Sequence, residues 1–195
     1  ARSFEPYSDM LRESLLSLCQ TGPDEVFRMQ NGANEIAKIY AKAFNKLLTD
    51  SGLNYKNIRA IGAHGQTIRH NPQIGASTQL INGALLAELT KTDVITDFRS
   101  RDLAAGGEGA PLVPAFHKWV LSGDVPRGIL NIGGISNLTV LPERGSDDEV
   151  LGFDCGPGNV LMDAWIEKVN HVRYDQDAVW ARSGKVIPQL LESLK

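Results

Sequence analysis

The chain has 195 residues, of which 42% are hydrophobic and 22% are charged, and its formal net charge is −3 at pH 7. This composition predicts one large or two small globular domains with a buried core. No stretch approaches the roughly 20 apolar residues of a membrane-spanning helix, and the acidic balance gives no electrostatic case for binding nucleic acid.

Helices and short strands alternate along the first part of the chain. Apolar residues at helical spacing predict a helix over 8–19 and a second helix that carries an apolar face over 36–48 and stops at Gly52. The alternation predicts a sheet with parallel strand pairs. Further along, we expect strands at 58–63, 78–81 and 94–96 and helices at 84–89 and 112–121.

The segment 123–126 predicts a domain boundary, because it follows a helix and the apolar register changes after it. We therefore expect a first-domain segment at 1–124 and a second-domain segment at 125–195. In the second segment, the sequence predicts strands at 128–132, 138–141 and 150–153 and a helix at 159–169.

Two glycine-rich loops in this second segment carry the strongest functional signal. They are Asn-Ile-Gly-Gly-Ile-Ser-Asn at 131–137 and Gly-Phe-Asp-Cys-Gly-Pro-Gly-Asn at 152–159. Glycine lets backbone N–H groups approach a phosphate closely, and Asp154 is a lone acidic side chain where a base would meet its substrate. Two such loops in succession indicate phosphoryl transfer.

Each of these features has a plainer interpretation. Gly133 and Gly134 are typical of a hairpin turn, and Asp154 is also suited to be a helix cap or a turn carboxylate. The polar neighbours Asn131, Ser136 and Asn137 favour a phosphate or ribose site. Cys155 is not assigned as a nucleophile, because no histidine lies near it in sequence.

Two loops of the first segment are further candidates. His64 follows a predicted strand, where open α/β sheets bind their ligands, although a structural histidine is the alternative. The loop 97–102 carries Arg99 and Arg101, which suit carboxylate or phosphate recognition; an internal salt-bridge network is the alternative. The two cysteines, Cys19 and Cys155, are far apart and indicate reduced thiols in a cytoplasmic protein.

Four segments, 62–70, 97–116, 131–137 and 152–165, together resemble the anhydro-N-acetylmuramic acid kinase family of bacterial cell-wall (peptidoglycan) recycling. The resemblance implies the α/β two-domain fold of sugar kinases and actin-like ATPases, with ATP and Mg²⁺ in the cleft between domains. It also implies the reaction. Water opens the 1,6-anhydro ring while the freed 6-oxygen takes the γ-phosphate, which gives N-acetylmuramic acid 6-phosphate and ADP.

The family pattern assigns roles to individual residues, with Asp154 as the general base. It implies that the nucleotide phosphates are lined by Asn131, Gly133, Gly134, Ser136 and Asn137. It implies that the sugar and its lactyl carboxylate are contacted by His64, Gly65, Gln66, Asp97, Arg101, Gly156, Gly158 and Asn159.

The family also has a Gly-Thr-Ser-x-Asp-Gly phosphate loop before these motifs and an adenosine-binding segment after them. Neither occurs in the 195 residues, so we expect them on a longer polypeptide. A non-catalytic sugar- or nucleotide-sensing module and a kinase for another small molecule are the alternative functions. A homodimer is one expected assembly.

Overall fold

The structure is a computed structural model that describes residues 1–194. It forms two compact units that divide between Ala110 and Pro111. This division comes earlier than the boundary expected at 124–125, because the segment 111–124 packs within the second unit. Where the domains of the whole fold divide stays a prediction.

Two helices and a hairpin build the first core of the first unit. Helix α1 spans Asp9–Ser17, capped by the Ser8 hydroxyl, and helix α2 spans Glu25–Ser51 and ends at Gly52 as predicted. Their apolar faces pack together because the apolar residues recur once per helical turn. The buried members of this core are Leu11, Leu15, Leu18, Ile36, Ile68 and Leu80.

The rest of the first unit contains one parallel strand pair and one hairpin. The parallel pair was predicted, whereas the hairpin was predicted only in its second strand. In chain order the elements are β1 (Ile61–Gly62), β2 (Gln66–Asn71), β3 (Ala76–Leu80), α3 (Gly83–Thr90), β4 (Val94–Ile95) and α4 (Ser100–Ala104). Strands β1 and β4 pair in parallel, and β2 and β3 pair antiparallel.

The second unit is built on a three-stranded antiparallel sheet in the order β5-β6-β7. Across both units, no helix within residues 1–194 is long and apolar enough to cross a membrane. In chain order the elements of the second unit are α5 (Val113–Leu121), β5 (Arg127–Ile132), β6 (Ile135–Leu141), β7 (Leu151–Pro157), α6 (Val160–Asn170), α7 (Val179–Ser183) and α8 (Pro188–Leu194).

Helix α5 packs on this sheet through a buried polar contact. The Nδ1 atom of His117 on α5 lies 2.9 Å from the hydroxyl of Thr139 on β6, and both side chains are buried. The neighbouring Leu141 is fully buried on the same face of β6. This contact explains why the segment before residue 124 belongs to the second unit.

Replacing Thr139 with valine should destabilise the second unit. Thr139→Val keeps the branched shape but leaves the buried His117 nitrogen without a partner, so we expect a loss of about 1–3 kcal/mol in the free energy of unfolding. Urea denaturation of the intact protein measures this loss. In a His117→Leu background Thr139→Val should cost little more, and an equal cost in both backgrounds would show that the hydroxyl does not support the histidine.

Candidate active site

Three polar side chains lie in one row across the sheet of the second unit. Asn131 of β5 is directly opposite Asn137 of β6, and Asn137 is directly opposite Asp154 of β7. Opposed residues of an antiparallel sheet point to the same face, with Cβ atoms about 4.5–5.5 Å apart. The strand register therefore brings the amides of the first glycine-rich loop beside the carboxylate of the second.

The position of Asp154 is not that of a helix cap. It lies within β7, and the residue that caps α6 is Asn159, whose side chain makes no capping hydrogen bond. Asp154 is exposed, and no hydrogen bond or ion pair within residues 1–194 involves its carboxylate. An accessible carboxylate with free lone pairs is what proton abstraction requires.

Asn137, the residue opposite Asp154, carries an unsatisfied polar atom. Its side-chain oxygen is buried and has no hydrogen-bonding partner among the described residues. Leaving a buried acceptor unsatisfied costs about 1–3 kcal/mol, and native proteins keep few such groups. The row that contains Asp154 therefore includes a buried acceptor, the Asn137 side-chain oxygen, to which no described residue donates a hydrogen bond.

Gly133 and Gly134 form the turn that joins β5 to β6, so the hairpin interpretation of this pair describes its local structure. Neither glycine has a positive φ, and a Cβ atom would come no closer than 3.6 Å to its neighbours at Gly133 or 3.8 Å at Gly134. Neither backbone conformation nor packing requires glycine at these positions. Gly134 is exposed and Gly133 is half-buried, and the lack of a side chain at both lets a ligand come close to the backbone.

The two glycine-rich loops are bonded to each other. The N–H groups of Gly158 and Val160 donate to the carbonyl of Gly134 over 2.8 and 3.3 Å, and the N–H of Asn159 donates to the carbonyl of Gly133 over 2.8 Å. The backbone amides of Gly158, Asn159 and Val160, which lead into α6, are thus engaged within the protein. The turn and the end of β7 form one connected structure.

A β-bulge at Cys155 separates Asp154 from the end of its strand. Asp154 is opposite Asn137 and Gly156 is opposite Ser136, which leaves Cys155 as the extra residue on β7. A bulge bends the strand that carries it, and Gly156 follows with a φ of +134°. Cys155 is exposed, and its position as the extra residue of the bulge accounts for it without a catalytic role.

In the first unit, two predicted site residues follow neighbouring strands. Gly62 of β1 pairs in parallel with Ile95 of β4, and His64 and Asp97 come two residues after these partners. The carboxyl ends of parallel strands meet at one edge of a sheet, which is where open α/β sheets bind ligands. The structure therefore brings the loops of His64 and Asp97 together, whereas the sequence predicted a position at a strand end for His64 alone.

His64 has two partners in this loop cluster. The Nε of Arg99 donates to His64 Nε2 over 3.3 Å, and His64 Nδ1 lies 2.9 Å from the carbonyl oxygen of Gly65. A neutral imidazole with its hydrogen on Nδ1 satisfies both contacts. Gln66 begins β2, and its side chain donates to the Thr67 carbonyl over 3.3 Å.

The neighbouring loop orders its own acidic residue. Asp97 accepts from the Ser100 hydroxyl over 2.6 Å and from the Ser100 N–H over 3.3 Å, while Arg101 is exposed on α4. The sequence offered both Arg99 and Arg101 as candidates, and the family pattern assigned only Arg101 to the sugar. Residue type does not separate these two arginines, and only the fold places Arg99 against His64.

Comparison with known proteins gives one consistent family. A family model described as anhydro-N-acetylmuramic acid kinase matches residues 1–195. The anhydro-N-acetylmuramic acid kinase of Nitrosomonas europaea is 55% identical over 192 residues, which are 97% of this chain and 52% of the relative. That of Pseudomonas syringae pv. tomato is 50% identical over 195 residues, 100% of this chain and 53% of the relative. That of Ralstonia nicotianae is 49% identical over 200 residues, 99% of this chain and 52% of the relative. The chain thus spans about half the length of these curated relatives.

Proposed function

Because the chain belongs to the anhydro-N-acetylmuramic acid kinase family, we propose that the intact protein phosphorylates anhydro-N-acetylmuramic acid with ATP. The observation that carries this proposal is the row formed by Asn131, Asn137 and Asp154 beside the Gly133–Gly134 turn. It combines a free carboxylate with a turn that a phosphate can approach. A kinase that also hydrolyses a bond in its substrate needs both.

In this proposal Asp154 accepts a proton from the water that attacks carbon 1 of the sugar. The bond between carbon 1 and oxygen 6 breaks, and oxygen 6 keeps its electron pair. That oxygen then attacks the γ-phosphorus, and the bond to ADP breaks. The products are N-acetylmuramic acid 6-phosphate and ADP, and a positioned general base of this kind contributes about 10²–10⁴-fold to rate.

We assign the nucleotide phosphates to the turn of the second unit. ATP, as its Mg²⁺ complex, supplies the phosphoryl group. The backbone of Gly133 and Gly134, which carries no side chain, suits a phosphate, and the side chains of Asn131, Ser136 and Asn137 add hydrogen-bonding groups around it. Within residues 1–194, no group of three or more His, Cys, Asp or Glu side chains is placed to hold a metal ion, and we assign no ligand to Mg²⁺.

We assign sugar contacts to the loops of His64 and Asp97 in the first unit and, separately, to the end of β7 in the second unit. The exposed guanidinium of Arg101 suits the lactyl carboxylate of the sugar, because arginine binds carboxylates through paired hydrogen bonds. A cytoplasmic location and a homodimer belong to the same proposal. The other assigned sugar contacts are Gly65, Gln66, Gly156, Gly158 and Asn159.

The proposed substrate class predicts a sharp selectivity. The intact protein should release ADP with anhydro-N-acetylmuramic acid and release little with glucose or N-acetylglucosamine, because these sugars have neither the anhydro bridge nor the lactyl carboxylate. A coupled assay of ADP release measures this difference, with a sugar-free reaction as the control. Comparable turnover with the ordinary hexoses would refute the substrate, and tight binding of the anhydro-sugar without turnover would favour the sensing module.

A further inference from the structure

Gly158 lies where the Gly133–Gly134 turn meets the end of β7. A Cβ atom at Gly158 would be 2.1 Å from the carbonyl oxygen of Gly133 and 2.9 Å from the hydroxyl oxygen of Ser136. Real Cβ atoms essentially never come within 3.0 Å of such neighbours. The φ angle of Gly158 is not positive, so the close approach, and not an unusual backbone conformation, is what requires glycine here.

The same contact is reinforced by hydrogen bonds on both sides of it. The N–H groups of Gly158 and Asn159 donate to the carbonyls of Gly134 and Gly133, each over 2.8 Å. A close backbone contact with hydrogen bonds of normal length around it holds two segments at a fixed separation. The turn and the end of β7 are therefore held together by backbone groups and not by side chains.

Only the bulge residue and the short Gly156–Pro157 stretch separate this contact from Asp154. We infer that Gly158 is a positioning residue, which fixes the distance between the Asp154 carboxylate and the Gly133–Gly134 turn. The inference rests on the proposed function, in which the carboxylate activates water and the turn binds the nucleotide phosphates.

The reaction explains why this distance matters. The attacked carbon and the oxygen that receives the phosphoryl group are bonded to each other in the sugar, so the base and the phosphoryl donor must be aligned on two adjacent atoms. A misplacement of about 1 Å in such an arrangement costs on the order of 10²-fold in rate. Gly158 thus links the two halves of the chemistry through the backbone.

Gly158→Ala tests this role directly. To raise the Cβ contact from 2.1 Å to the 3.0 Å limit, the two loops must separate by at least the difference, 0.9 Å. We expect kcat to fall on the order of 10²-fold, while the KM values for sugar and ATP change little. The melting temperature should fall as well, because separating the two loops strains the hydrogen bonds between them. Gly128→Ala is the matched control, because its added Cβ lies 3.6 Å from Leu138 in ordinary contact, and it should retain wild-type kcat.

A second pair of variants keeps the test decisive if Gly158→Ala does not fold. Asn159→Pro replaces the N–H that donates to Gly133 with a ring CH₂ group, which removes the hydrogen bond and pushes the same two loops apart. The observed φ of −85° is close to the value that proline adopts. Asn159→Ala removes the same side chain but keeps the N–H. We expect kcat to be lower in Asn159→Pro than in Asn159→Ala, with similar KM values for the two.

The outcomes separate this inference from the proposed function. If the wild-type protein and Gly128→Ala do not turn over the anhydro-sugar, the proposed function fails. If both turn over and folded Gly158→Ala retains their kcat, or if the two Asn159 variants have equal kcat, the positioning role is wrong. A rise in KM for the sugar at unchanged kcat would overturn it as well, since that result would leave Gly158 only the sugar contact already assigned to it.

Discussion

Replacing Asp154 with asparagine should lower kcat by about 10²–10⁴-fold, the usual contribution of a positioned general base. Asparagine keeps the size of the side chain but cannot take a proton from water. The exposed carboxylate makes no hydrogen bond or ion pair with the described residues, so the substitution should leave the fold and the affinity for the sugar nearly unchanged. Steady-state ADP release and equilibrium sugar binding measure the two effects.

Cys155→Ala is the matched control for this experiment. Cys155 is the neighbouring residue, is exposed and lies in the bulge of the same strand, so its replacement should leave kcat close to that of the wild type. A kcat loss in Cys155→Ala as large as that in Asp154→Asn would instead indicate a cysteine nucleophile. Near-normal kcat in Asp154→Asn would show that Asp154 is not the general base.

The position at which an oxygen atom from solvent enters the product is a second test of the role proposed for Asp154. The bridging oxygen leaves carbon 1 from one face of the sugar, so the water held by Asp154 must approach from the opposite face, as in a single inverting displacement. In water enriched in oxygen-18, we expect the label at carbon 1 of the product, with inverted anomeric configuration. We expect no label in inorganic phosphate or in the phosphoryl group of the product, because oxygen 6 and not water attacks phosphorus.

Mass spectrometry locates the label, and NMR of the product before mutarotation gives its configuration. Reaction in unlabelled water provides the baseline. Retained configuration would require two displacements at carbon 1 and a covalent intermediate, which a base for water does not form. Label in phosphate would mean that water attacks the nucleotide, and either result would refute the role proposed for Asp154.

The family match confirms the fold class. The elements that the sequence predicts correctly are those whose own residues carry a clear periodic signal. Helix α2 (Glu25–Ser51) was predicted because its apolar residues follow the helical period over several turns and Gly52 ends it. Strand β2 was missed because, in Gln66–Asn71, only Ile68 is buried. Its pairing with the neighbouring strand β3 forms it, and this pairing leaves no periodic apolar signal in a mostly polar strand.

The candidate site shows the same division. The sequence singled out Asn131, Asn137 and Asp154 by residue type and by the glycines around them, and their roles stay predictions. It did not indicate that the three form one row, because that depends on the register of three strands and on the extra residue at Cys155. Nor did it indicate the contact between Gly158 and Gly133, which arises only when the two loops meet.

The up-and-down order of β5, β6 and β7 separates the sheet of the second unit into two ends with different freedom to change. The turn after Ile132 and the last residues of β7 meet at one end, whereas the connection over 142–150 lies at the other. That connection is mostly exposed, and exposed loops accommodate insertions at little cost. Within 131–137 and 154–160, by contrast, one residue added or lost would shift the row or break the link between the loops. Differences in length between homologues should therefore accumulate around Gly145, which also makes this loop the place to attach a label or a tag without disturbing the chemistry.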